Sequence, residues 1–233
     1  MLNKEEIEFY NKIKNNCKII FDVGCRDDIE YIENSKNKIF HLFEPNPIFY
    51  IKCQEKITQI TNIIYLRNFG LGGGNNIGET DYYLDSQSFF KRHVHYISKS
   101  NPVKLPVIKF SDYLKKYKIE KIDFLKIDTE GCEPDILLDD IQFIKNKVKY
   151  IQFEWANTWF DRNDNVVFII FLYIFNLYSE NFDFYFLYDE QHPLSIKNKD
   201  VLSSIKNEKN IREIHEYICA GYGLNIAMIR REL

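Results

Sequence analysis

Between Asp123 and Leu137 the chain reads Asp-Phe-Leu-Lys-Ile-Asp-Thr-Glu-Gly-Cys-Glu-Pro-Asp-Ile-Leu, and this stretch limits the fold more than any other. It opens as a near-continuous apolar run, the pattern of a strand covered by helices on both faces. The run stops at Asp128, Glu130 and Gly131. Helical signals follow at once: Pro134 suits a first turn, Glu133 and Asp135 suit its positive end, and Ile136, Leu137 and Ile141 recur at helical spacing. One helix is expected over 133–144. Two carboxylates therefore fall at the carboxyl end of a central strand, where open α/β sheets gather their ligands.

The alternation of strand and helix extends from about Ile19 to Tyr178. Strands are expected at 18–23, 39–43, 63–66, 80–84, 103–110, 148–154, 182–188 and 224–229. The last two suit an antiparallel pair. Helices are expected at 3–14, capped by Asn3 and covering the sheet, at 48–60, at 111–117 behind a Ser111-Asp112 cap, and at 166–178. The glycine-rich segment 70–78 reads as a hairpin connection, since it lacks the Lys-Ser/Thr ending of a phosphate loop. Segment 197–216 is mixed and polar. No repeat or linker divides the chain, so residues 1–233 are expected to form one domain.

With 19 Phe and 16 Tyr the core should be rich in rings, and the aromatic surplus permits a homodimer interface. A net charge of −3 argues against a surface dedicated to nucleic acid. Lys115, Lys116, Lys118 and Lys121 read as a solvated helix face. The five cysteines include no CxxC pair, which speaks against a disulfide framework or structural zinc and fits a reducing cytoplasm. The amino-terminal residues lack the pattern of a signal peptide. The apolar run 166–178 is shorter than the ~20 residues a membrane span needs, so no membrane insertion is expected.

Two acidic turns add chemistry. Asp22 and Gly24 close the first strand, and Glu44 closes the second, 20 residues beyond Gly24. That offset is close to the one at which a carboxylate holds the ribose hydroxyls of an adenosine cofactor. The glycine pattern is incomplete, because Arg26 and Ile29 stand where further glycines would. The segment 85–100, with Ser86, Ser88, Lys91, Arg92, His93 and His95, has the length and ionisable groups of a lid over a substrate.

Phe21-Asp-Val-Gly24, Phe43-Glu-Pro-Asn-Pro47, Asn68-Phe-Gly-Leu-Gly72, the Ser86/Ser88 pair and above all Leu125-Lys-Ile-Asp-Thr-Glu-Gly-Cys-Glu133 resemble the FkbM-type methyltransferases. The resemblance implies a Rossmann-like class I fold. This is a three-layer α/β sandwich with a mostly parallel central sheet, an antiparallel carboxyl-terminal strand and an inserted hairpin. It also implies S-adenosylmethionine as cofactor and O-methyl transfer to a hydroxyl of a sugar, nucleotide sugar or glycosylated small molecule.

Carried onto this chain, Asp22, Gly24, Cys25 and Arg26 border the methionine part of the cofactor. Glu44, with Pro45 and Asn46, meets the ribose. Asn68, Phe69 and Gly70 lie near adenine, and Ser88 joins the cofactor set. Asp128 and Glu130 face the sulfonium and the acceptor. Asp128 is the first choice for the base that deprotonates the hydroxyl, with Glu130, Glu154, His93 and His95 as rivals. Lys126 is expected to point to the opposite face or to be displaced by the local turn, and to act as an ion-pair partner rather than bind substrate. Asp128, Glu130 and Glu154 offer an alternative role, gathering a divalent cation that orients two vicinal sugar hydroxyls, but their spacing is not a compelling metal pattern and no metal is predicted. Trp155, Trp159, Phe160 and Asp161 either stack on a sugar or belong to the core. Two other functions compete. Ribose methylation of nucleic acid needs a Lys-Asp-Lys-Glu set that does not assemble here. A non-catalytic binding module would follow if the bulky Cys25-Arg-Asp-Asp28 turn had abandoned the cofactor.

Overall fold

The computed structural model describes residues 4–74, 77–84, 92–93, 96–97, 99–156, 159, 164–187, 202–219 and 223–231. Helix α1 (Lys4–Ile13) precedes strand β1 (Ile19–Val23), the short α2 (Glu30–Glu33), β2 (Ile39–Phe43), α3 (Pro47–Ile57) and β3 (Ile63–Arg67). Five short or inserted strands follow: β4 (Gly70–Gly72), β5 (Gly78–Tyr82), β6 (Arg92–His93), β7 (Tyr96–Ile97) and β8 (Val103–Lys109). Then come α4 (Phe110–Lys116), β9 (Ile122–Ile127), α5 (Glu133–Leu137), α6 (Ile141–Lys147) and β10 (Val148–Trp155). The chain closes through α7 (Asp164–Tyr178), β11 (Phe182–Leu187), β12 (Leu202–Ile205), α8 (Glu208–Cys219) and β13 (Leu224–Arg230).

Eight strands form the main sheet in the order β12-β11-β13-β10-β9-β1-β2-β3. Pairing is parallel from β10 through β9, β1 and β2 to β3, whereas β13 runs antiparallel to both β10 and β11. All six residues of β9 are buried, as its apolar run requires. Successive residues of the central strands face opposite layers. Ile20, Phe40, Leu42 and Phe124 meet Phe9, Tyr10 and Ile13 of α1 on one face. Phe21, Leu125, Ile151 and Phe153 meet α4 to α8 on the other. Trp155 stacks on Phe171 at 3.8 Å and Trp159 lies beside Phe153, both indoles fully buried. They belong to the core, not to a sugar platform. Among the described residues no helix is long and apolar enough to cross a membrane.

Several local expectations change. The single helix over 133–144 is two helices, because the Asp140 side chain accepts from Phe143 N at 2.9 Å and caps a new one. Helix α4 starts at Phe110, one residue before the expected cap, and Asp139 accepts from the Ser111 N–H at 2.7 Å. The cap thus comes from a distant element. Glycine-rich 70–78 is more than a connection: β4 within it pairs in parallel with β8, and the inserted hairpin is antiparallel β5 with β8. The polar segment 197–216 contains β12 and most of α8, whose Ile211, Ile214 and Ile218 are buried at helical spacing.

Candidate active site

The sheet reverses direction of winding between β1 and β9, and the site is built where those two strands end. The turn after β1 folds onto β2, with Gly24 N and Cys25 N both donating to Phe43 O at 2.9 and 3.2 Å. Gly24 has φ +82, and a Cβ placed on it would fall 1.8 Å from Asp128 O. Only glycine allows this close approach of the two strand ends. Arg26 is also left-handed, at φ 51. That conformation aims its N–H at Glu44 Oε2, 2.8 Å away, while Asn46 N donates to Glu44 Oε1 at 2.7 Å. Burial pushes the Glu44 carboxyl up to about 7, even against these two backbone donors and Arg26. Asn46 also caps α3 by accepting from Ile48 N at 3.0 Å.

At the end of β9, Lys126 and Asp128 lie two residues apart and share a face, which corrects the expected opposite orientation of Lys126. Lys126 Nζ stands 3.1 Å from Asp128 Oδ2 and 3.5 Å from Asp22 Oδ1. Burial alone would lower the Lys126 ammonium; Asp128 and Asp22 outweigh it and hold it well above its usual range. Burial raises Asp22 to about 6 despite that lysine. The turn beyond is organised from underneath by Glu133. Its Oε1 accepts from Thr129 N (2.6 Å) and Thr129 Oγ1 (2.9 Å), and its Oε2 from Gly131 N (3.0 Å). Glu130 sits on top of this turn in a left-handed conformation, φ 58.

Two further acids enter from neighbouring elements. Glu154 is the penultimate residue of β10, and burial, with Glu130 and Asp128 nearby, raises its carboxyl well above the ordinary value. Glu6 reaches in from α1, its Oε1 accepting from Gln152 Nε2 at 2.6 Å.

These groups wall a cavity of about 210 Å³. Of the residues singled out from the sequence, Gly24, Arg26, Glu44, Pro45, Gly70, Asp128, Glu130 and Glu154 line it. Asp22, Cys25, Asn46, Asn68 and Phe69 stand outside the lining. Asn68 Nδ2 donates to the carbonyls of Glu44 and Pro45 at 3.0 and 3.1 Å, bracing the β2 turn, and Phe69 packs in a ring cluster with Phe43 and Tyr113. Ser88 and His95 lie outside the described residues. His93 falls in β6, with its side chain outside them. The lining residues not anticipated include Glu6, Asp28, Phe49, Leu71, Tyr82, Lys126 and Asn225. Glu6 had a signal: it shares a helical face with Phe9, Tyr10 and Ile13. So did Lys126, a lone cation in an apolar strand. Among the described residues no group of three or more His, Cys, Asp or Glu is placed to hold a metal ion.

The residues suit S-adenosylmethionine. Each Glu44 oxygen has taken one backbone N–H and keeps a lone pair for a ribose hydroxyl. The acid-rich lining suits a cationic sulfonium. Arg26, which lines the cavity, rests its guanidinium 4.9 Å above the Phe49 ring.

The chain matches the family model described as methyltransferase FkbM domain over residues 22–189. Comparison with curated proteins finds no match. Among solved structures it is similar to a methyltransferase FkbM from Methylobacillus flagellatus, with 13% identity, TM-score 0.51 and 91% of this chain covered. The present chain spans only 44% of that protein's length. A Streptococcus mutans protein assigned as a methyltransferase, solved in complex with SAH, aligns at 11% identity and TM-score 0.51 over 99% of this chain and 100% of its own. An rRNA methylase from Streptococcus thermophilus aligns at 9% identity and TM-score 0.51 over 100% and 99%. At these identities the likenesses show the Rossmann-like class I fold alone, and the family follows from the sequence match. The chain belongs to the methyltransferase FkbM domain family, whose members draw the methyl group from S-adenosylmethionine.

Proposed function

We propose that this chain transfers a methyl group from S-adenosylmethionine to an uncharged hydroxyl of a sugar or glycosylated small molecule. The observation that carries the reading is the convergence of the Gly24 turn, Glu44, Asp128 and Glu154 on one cavity at the strand ends. The cofactor supplies an activated methyl on a sulfonium, leaving the protein to align the acceptor and remove its proton. Glu44 holds the ribose, and the backbone of Gly24 and Arg26 borders the methionine part. Asp128, engaged by Lys126, orients the acceptor hydroxyl. Glu154, which lines the same cavity beside Asp128 and whose carboxyl burial holds above its ordinary value, takes its proton.

The charge of the lining supports a neutral acceptor. Among the described residues Glu6, Asp28, Glu44, Asp128, Glu130 and Glu154 line the cavity, with Arg26 and Lys126 as its basic members. Carboxylates this close disfavour the phosphates of a nucleotide sugar or of a nucleic acid and leave a neutral hydroxyl unpenalised. An isotope-labelled methyl screen against neutral sugars, nucleotide sugars and RNA is the test. Label is expected in the neutral sugars. Transfer to RNA would sink the sugar reading, and cofactor binding with no transfer to any class would favour a non-catalytic module.

A further inference from the structure

The opposite end of the sheet carries the opposite charge. There the start of β1, the 118–123 loop, the end of α6, the start of β10 and the end of β13 enclose a groove of about 960 Å³. Cations from several elements line it, on a chain whose net charge is −3. Arg231 is paired with Asp183 at 2.8 Å, Arg230 donates to Asn146 O at 2.6 Å, and Lys121 meets Asp123 at 3.2 Å. The Asp123 carboxylate is further occupied by the N–H groups of Lys18 and Ile19, each at 2.8 Å. Lys118, Lys145, Lys147 and Lys149 have no ion pair among the described residues, against Glu120 and Glu180 as the remaining acids of the lining. The apolar part of the lining is aliphatic, Ile19, Ile119 and Ile122, with no ring on which a base would stack.

We propose that this groove holds the phosphodiester backbone of a single-stranded nucleic acid, without sequence preference, as an anchoring site separate from the methyl-transfer cavity. Four ammonium groups with no ion pair among the described residues, that of Lys149 resting 5.2 Å over the Tyr150 ring, supply the electrostatic term of such binding, and contacts to phosphate alone carry no sequence information. A flat anionic membrane is the poorer occupant, because it does not enter a recess between strand ends. The inference does not rest on the proposed acceptor: a nucleic acid held here lies at the far end of the sheet from Glu154.

The test is fluorescence anisotropy of a labelled short oligouridine with the full chain. Binding is expected at about 50 mM salt, with a log–log slope of roughly −2.8 for four phosphates, so that affinity falls about 50-fold by about 200 mM. Replacing two exposed lysines, Lys118→Glu with Lys147→Glu, should weaken binding at least about tenfold. Lys118→Arg with Lys147→Arg should retain it. Unchanged SAH binding by calorimetry would show that the reversed variant is folded. No oligouridine binding by the unmodified chain would overturn the proposal, as would equal affinity in the charge-reversed variant. Selective sedimentation with phosphatidylglycerol vesicles, oligouridine being ignored, would overturn it in favour of a membrane surface.

Discussion

Gly223 shows how a residue without a side chain serves one with a reactive end. A Cβ on it would lie 2.0 Å from Glu154 Oε1 and 2.9 Å from Cδ, both far along a flexible side chain. Gly223→Ala must therefore push the carboxylate aside while sparing the backbone. Turnover is expected to fall by about 10²-fold, the lower range for loss of a positioned base, with SAH affinity unchanged. Glu154→Gln should do the same in steady-state kinetics. Full turnover in both variants would return the base role to Asp128. Lys126 teaches the complementary lesson: its place in an apolar strand is plain in the sequence, but its two carboxylate partners come from β1 and the β9 turn. Which way a buried charge turns depends on strands brought together from distant parts of the chain.

At the scale of elements, the β9–α5 junction depends on Glu133. This fully buried carboxylate satisfies the N–H groups of Thr129 and Gly131 and thereby sets the turn that presents Glu130. Glu133→Ala leaves both donors without their partner, at about 1–3 kcal/mol each. A loss of about 2–6 kcal/mol in urea unfolding at unchanged slope is expected; a loss below about 0.5 kcal/mol would mean the turn stands without it. The strands were legible wherever burial alone decides them: β2 has the expected limits, and β9 announces itself by its apolar run. Elements fixed by distant partners were not. Strand β4 is three residues that pair with β8, α4 borrows its cap from Asp139, and β12 is held on β11. A break in the 133–144 helix was marked only by Asp140, a residue equally at home on a helix surface.

Across the whole molecule, one mixed, mostly parallel sheet carries an acid-lined cavity at one end and a cation-lined groove at the other. The Asp22, Gly24 and Glu44 turns were readable from their spacing, because strand, turn and acid are local in sequence. Glu6, Asn225 and Gly223 were not placed, since α1 and β13 reach the site only through the fold. In the proposed reaction Glu44 holds the ribose of S-adenosylmethionine in this cavity. A carboxyl raised to about 7 is mostly protonated below that pH and ionised above it, and only the ionised form offers acceptors to both ribose hydroxyls. Cofactor affinity should therefore rise with pH, by about tenfold between about pH 6 and about pH 8. Calorimetric titration of SAH into the unmodified chain and into Glu44→Gln measures this directly. The prediction is micromolar binding that strengthens with pH in the former, and at least tenfold weaker, pH-independent binding in the latter. Equal affinity and equal pH dependence in the two proteins would contradict it.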